Sequence, residues 1–399
     1  MNNSRKNIMP VLALITTVIY LCFYSATYIG GTIESRPVTL AGVVVSLISA
    51  LVLLVFIIIH NIRGKDEDFP DRINALGNRY LLFILLSQII PFLFQLLIIP
   101  GIPALSDYIE NNTGRASLIL TVLVFYMIDL PILFFAVRKI PKMKIEERNL
   151  GFLNFMIYAF IMAGLASMGS MVGTPIHLLL TVPFSSDEAS SSQIVEIMTS
   201  ISIYERIIVM GLIGPAVEEL IFRKLLIDRS IKYGEFFSIM LSGVLFGLFH
   251  GNFQQLFFAS LAGFLFAYIY IRTGRIRYTI FLHMLMNLTT SIFTVSIYMK
   301  ALPFVSDIEA GSDISNEGYL YIFLLLIWMM FLFAVAVTGI VLLCLRWKRF
   351  KIYKAPNELS RSKIIGKTLA APLMLSVVIL CLAEFATTYL PDMFKFFMG

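Results

Sequence analysis

Apolar positions dominate this chain in long, nearly uninterrupted runs, separated by short polar segments. A bilayer core takes ~20 apolar residues per helix. Eleven segments meet that length: roughly 9–30, 37–60, 80–100, 117–137, 151–181, 197–222, 235–251, 253–272, 278–299, 320–345 and 369–390. The pattern predicts an all-α, polytopic membrane protein with about eleven transmembrane helices. Pro and Gly punctuate the ends of most spans, whereas Pro91 and Pro131 fall inside and predict kinks. No internal repeat is visible. The longest loops, of about twenty residues, are too short to bury a core of their own.

Composition agrees with that reading. Of 399 residues 58% are hydrophobic and 14% charged, with a mean hydropathy of +0.86, where a soluble domain has about 25% charged residues. The net charge of +6 is spread over short loops, so it predicts no nucleic-acid partner. It does orient the chain. With the N-terminus in the cytoplasm, 26 of the 31 Lys and Arg fall on inner segments, five of them in 138–148 and eight in 346–367. The acidic loops SSDEASSS and VSDIEAGSDISNEG fall outside. The expected location is a cell membrane, of the bacterial plasma-membrane kind, crossed many times.

Arg5 and Lys6 ahead of the first run give it the look of a signal peptide. No small-residue cleavage site follows, so the run reads as a retained first span. Cys22, Cys344 and Cys381 lie in apolar runs without metal-ligand spacing and read as packing residues. The basic stretch 138–149 and the acidic loop after Lys300 divide the chain into four N-terminal helices (1–149), a central block (150–300) and two C-terminal helices (301–399).

The central block holds the chemistry. Charge and imidazole are costly in hydrocarbon, roughly 2.5 kcal/mol or more for an acid or base at a helix centre, yet three clusters occur within it. In GPAVEELIFRKLL, Glu219 and Arg223 are four apart and meet on one helix face, while Glu218 points about 100° away and stays free. A carboxyl in a low-dielectric cavity suits a general base; the plain alternative is a helix end with snorkelling side chains. His250 in GLFHG follows Phe246 by one turn, where a packed imidazole bonded to a carbonyl is the plain alternative. His283 and Asn287 in FLHMLMNL share a face, so both can donate to one oxygen, as an oxyanion site requires, or serve as interhelical glue. A hairpin turning near Tyr233–Gly234 would bring Glu218 and His250 to similar depth, ~22 and ~25 Å from the tip, and would project Arg229 and Lys232 into the cytoplasm.

Glu218-Glu219-x-x-x-Arg223, Phe246-x-x-x-His250 and His283-x-x-x-Asn287, in this order on successive helices, resemble the three motifs of the CPBP family of CAAX prenyl endoproteases and bacteriocin-processing (Abi) proteins. The resemblance covers about 150–300. It implies an intramembrane endopeptidase in which Glu218 and His250 activate water, His283 and Asn287 stabilise the oxyanion, and Glu219, Arg223 and Phe246 support them. Its substrate would be a membrane-embedded or lipidated peptide, met within the lipid bilayer. The same Glu218, His250 and His283 would be the ligands if a zinc ion were used; HExxH is absent, and the metal-free reading is favoured, with no cofactor.

Two other classes stay open at this point. One is a membrane scaffold of the same family that binds a sensor kinase, a cell-wall enzyme or a bacteriocin-immunity target, with the outer helices holding a membrane-protein partner. The other is a transporter, suggested by Asp129 and Glu384 in mid-span and disfavoured by the missing repeat. Asp129 and Glu384 read as structural, bonding freed backbone or a neighbouring helix. His177 reads as lying toward the outer end of its helix, away from the site, and His60 as an inert interfacial residue. The Asn111-Asn112-Thr113 sequon carries little weight.

Overall fold

The computed structural model describes residues 3–63, 69–184, 200–309, 311, 313–354 and 359–398. No strand occurs among them. The helices are α1 (Asn3–Thr32), α2 (Arg36–Arg63), α3 (Phe69–Leu93, continued by a π turn Phe94–Ile98), the short α4 (Pro103–Asn111), α5 (Thr113–Val137) and α6 (Phe152–Thr181). Then follow α7, an unbroken helical run over 203–233, α8 (Glu235–Leu248), α9 (Phe253–Thr273), α10 over 276–309, α11 (Asn316–Arg346), the short α12 (Arg361–Leu369) and α13 (Pro372–Met398).

Nine helices among the described residues are long and apolar enough to cross a membrane. The other two expected spans are α7, whose second half is rich in charge, and α8, which at 14 residues is short. Large apolar side chains such as Leu51, Met330, Phe333 and Leu345 lie on the outer surface, as lipid-facing residues do. Cys22 and Cys344 join them there; only Cys381 packs inside, so the packing expectation holds for one cysteine of the three. The His60 side chain and the SSDEASSS loop lie outside the described residues.

Helices meet through small residues where lipid supplies no hydrophobic drive. Gly169 and Gly173 of α6 face the backbone of Phe253–Phe258 on α9, and Gly164 faces Gly339 on α11. The last long helix, α13, packs against α1 and α3, so the two ends of the chain share one core with α7 and α8. A second core joins α6, α9 and α10.

The basic connections gather at one end. Met143 N–H donates to the Asp228 carbonyl, Arg148 N–H to the Thr273 carbonyl, and Arg272 pairs with Glu235. At the hairpin tip Gly234 takes φ +112°, which only glycine adopts cheaply. Lys232 is exposed there, but Arg229 does not project. It is buried, donating to the carbonyls of Val137 and Leu225 at 2.9 Å each, because the tip folds against the end of α5.

Candidate active site

Proline and π-helical backbone shape the site first. Over 206–213, α7 is wound as a π-helix, with Gly214 N–H reaching back to the Val209 carbonyl. In that register Pro215 would bond the Met210 carbonyl next, but proline has no N–H. Asn287 of α10 fills the gap: its Nδ2 donates to the Met210 carbonyl at 2.9 Å. A second π segment, Leu220–Leu225, shifts two further carbonyls. Tyr80 of α3 donates to Ile221 O at 2.7 Å, and Ser242 of α8 to Phe222 O at 2.8 Å. Single π turns of this kind recur at functional sites.

Between these two segments lies the glutamate pair. Glu219 is fully buried, with Oε2 at 3.0 Å from Arg223 Nε and Oε1 at 3.1 Å from His283 Nδ1. The Arg223 guanidinium lies 4.4 Å from the centre of the Phe246 ring and 5.4 Å from that of Phe266. Glu218 points elsewhere, as the helical offset predicts. Its half-buried carboxylate faces a cavity, 3.8 Å from His283 Nε2.

That cavity has a volume of about 290 Å³ and is lined by Glu218, His250, His283 and Asn287 from α7, the α8–α9 turn and α10. All four candidate residues of the three sequence clusters therefore come together. Phe246 sits among them, its ring centre 5.1 Å from that of His250 and 5.6 Å from that of His283, nearly perpendicular to both. No signal in the sequence pointed to the fourth wall, where Thr121 and Tyr126 come from α5, outside 150–300. The Tyr126 hydroxyl and Glu218 both lie close over Gly214.

Hydrogen bonds fix which nitrogens face the cavity. The Phe246 carbonyl can only accept, so His250 Nδ1, 2.8 Å away, carries its proton and Nε2 presents a lone pair. Glu219, ionised against Arg223, likewise takes the Nδ1–H of His283. The neutral His283 ring then offers an acceptor at Nε2, and the imidazolium form offers a donor there. The expectation that His283 and Asn287 both stand free to donate needs correction: His283 must be protonated to do so, and one of the two amide protons of Asn287 is committed to Met210. The other remains for the cavity.

Among the described residues no group of three His, Cys, Asp or Glu could hold a metal ion.

Two of the remaining polar residues, Asp129 and His177, depart from expectation. Asp129 is fully buried, and both its carboxyl oxygens lack a hydrogen-bond partner instead of bonding freed backbone. Glu384 bonds Gln88 of the neighbouring α3, as expected of it, and also lines a second cavity; His177, rather than lying apart, lines that same cavity with His250.

The type II CAAX prenyl endopeptidase Rce1-like family matches residues 201–289, which hold every one of these motif residues. This segment is Rce1-like. The Bacillus subtilis (strain 168) protein named "Putative membrane peptidase YdiL" is 42% identical over 82 residues, 20% of this chain. The alignment covers 34% of that relative's length, so this chain matches about a third of it. No solved structure matches significantly. The helices on either side of the Rce1-like segment lie outside the matched region.

Proposed function

We propose that the protein is an intramembrane endopeptidase that hydrolyses a peptide bond in a hydrophobic or lipidated, membrane-associated peptide near the cytoplasmic face of a cell membrane. One observation carries the reading. Arg223 is taken up by Glu219, which leaves Glu218 without an arginine partner in a cavity with His250, His283 and Asn287. A free carboxylate beside an unprotonated imidazole nitrogen is what activating a water molecule needs.

In this mechanism Glu218 takes one proton of the water while His250 Nε2 accepts a hydrogen bond from the other. The hydroxide so formed adds to the scissile carbonyl. The Nε2–H of the His283 imidazolium and the second amide N–H of Asn287 hold the oxyanion. Glu218 then delivers its proton to the leaving amine, and the carbon–nitrogen bond breaks. Glu219, held by Arg223, keeps His283 oriented. No step requires a metal or other cofactor.

Comparing membrane peptides from wild-type and Glu218→Ala cells tests the reading. Products present only in the wild type support it. A scaffold that binds a membrane-protein partner without cleaving anything would give identical peptide profiles and a phenotype that survives Glu218→Ala.

A further inference from the structure

The second cavity, of about 370 Å³, adjoins the first; His250 and Thr121 line both. Its wall runs from Gln88 on α3 through His177 on α6 and the His250–Asn252 turn to Glu384 and Thr388 on α13. The turn is pinned from α13: Tyr389 Oη accepts from Phe253 N–H at 2.9 Å, and Thr388 donates to the Gly251 carbonyl. Gly251 takes φ +65°, and a Cβ there would stand 2.7 Å from Glu384 Cβ. The bare backbone lets the carboxyl side chain approach the turn.

Three features of the lining define what it would bind. No lysine or arginine lines it, and Glu384 forms none of the salt bridges among the described residues. Gln88, 3% exposed, lies within hydrogen-bond reach of Glu384 and donates to the Leu380 carbonyl, yet its Oε1 is buried without a partner. His177, 5% exposed, shares its Nδ1 with the Tyr389 hydroxyl at 3.0 Å, and its Nε2 is buried and unpartnered. Glu384 also lies deep. It is ~18 Å along α13 from Pro372, beside the end where Leu373 N–H bonds Asn74 of α3. A carboxyl in mid-membrane without a cation is costly and marks a functional position.

We propose that this cavity is a subsite for a basic side chain of the peptide substrate, with Glu384 as its counter-ion and Gln88 Oε1 as a second acceptor. The proposal rests on the endopeptidase reading and adds a sequence preference to it. A peptide held with its scissile carbonyl against Glu218 and His250 has a side chain at the junction of the two hollows. A lysine or arginine there carries several donors and no acceptor, which matches the unpartnered Gln88 Oε1 and the Glu384 carboxyl, which has no basic partner. The mutual pairing removes a cost that each charge bears alone in this setting.

The test uses the full-length protein in lipid nanodiscs and a library of hydrophobic peptides, each with one randomised position, with products sequenced by mass spectrometry. The wild type should enrich Lys and Arg over norleucine at one position by about tenfold or more. Glu384→Gln, which keeps the side chain's shape, should reduce that enrichment to about twofold or less. Cleavage without a basic preference in the wild type overturns the subsite, whether or not the variant folds. So does a preference that Glu384→Gln leaves intact. No cleavage by the wild type at all, with a profile identical to Glu218→Ala, removes the endopeptidase reading and the subsite with it.

Discussion

Glu219 Oε2 lies 3.0 Å from Arg223 Nε, and neither side chain has any exposed surface. The approach is an ion pair without hydrogen-bond alignment, since the guanidinium nitrogens have no hydrogen-bond partner. The rings of Phe246 and Phe266 cover them instead. Removing one partner of a buried pair strands the other, at a cost of about 3–5 kcal/mol. Arg223→Ala should therefore lower the thermal midpoint and the yield of purified protein along with activity. A stable, well-expressed Arg223→Ala protein would show that the pair does not hold the site together.

Glu218 should behave in the opposite way. It has no arginine partner, and its carboxylate faces the cavity. Glu218→Gln keeps the shape and removes the proposed base, so turnover should fall by about 10²–10⁴ with the thermal midpoint little changed. Near wild-type turnover in Glu218→Gln, beside a folded but inactive Glu219→Gln, would reverse the two roles.

The difference between these two glutamates was legible in the sequence, because helical geometry alone puts Glu219 with Arg223 and turns Glu218 away. Nine of the expected spans and the hairpin at Gly234 were legible too, because run length and a glycine are local signals. What was not legible depends on long-range contact or on hydrogen-bond register. Nothing in the sequence says that Tyr126 of α5 closes the cavity, or that α13 brings Glu384 to Gly251. The Asn287 spacing from His283 was read correctly as one face, yet the commitment of its amide to Met210 follows from π-helical winding ahead of Pro215. A motif displays no such winding.

Close helix contact makes a separate prediction about packing. A Cβ on Gly169 would stand 2.3 Å from Phe258 Cα, a backbone atom that cannot swing aside. Gly169→Ala should push α9 off α6, destabilise the protein by about 1–3 kcal/mol and disturb the His250 turn that precedes α9. Gly31→Ala meets nothing within 4 Å, so its thermal midpoint should match the wild type. Equal midpoints for both variants would show that α6 and α9 are not in contact at Gly169.

Metal removal bears on the water-activation step. With no three-ligand group among the described residues, cleavage should survive dialysis against a strong chelator, and metal analysis of purified active protein should find less than stoichiometric zinc. Loss of activity on chelation, restored by added zinc, would overturn the metal-free mechanism and require Glu218, His250 and His283 to close into a ligand set.

Pro215 and Asn287 offer the sharpest separation of catalysis from support. Because Pro215 lacks an N–H, the Met210 carbonyl is left for Asn287 Nδ2, and that bond orients the carboxamide of a residue that lines the cavity. Asn287→Ala removes the proposed oxyanion donor and should cost about 10²–10³ in kcat, with a much smaller change in KM. Pro215→Ala leaves Asn287 in place but gives α7 an N–H able to bond Met210 in the π register. The freed carboxamide loses its orientation, so kcat should again fall more than KM, by less than in Asn287→Ala. The double variant Pro215→Ala/Asn287→Ala should be no slower than Asn287→Ala alone, because both changes act through one group. Additive losses in the double variant would mean that Pro215 acts on the site by another route.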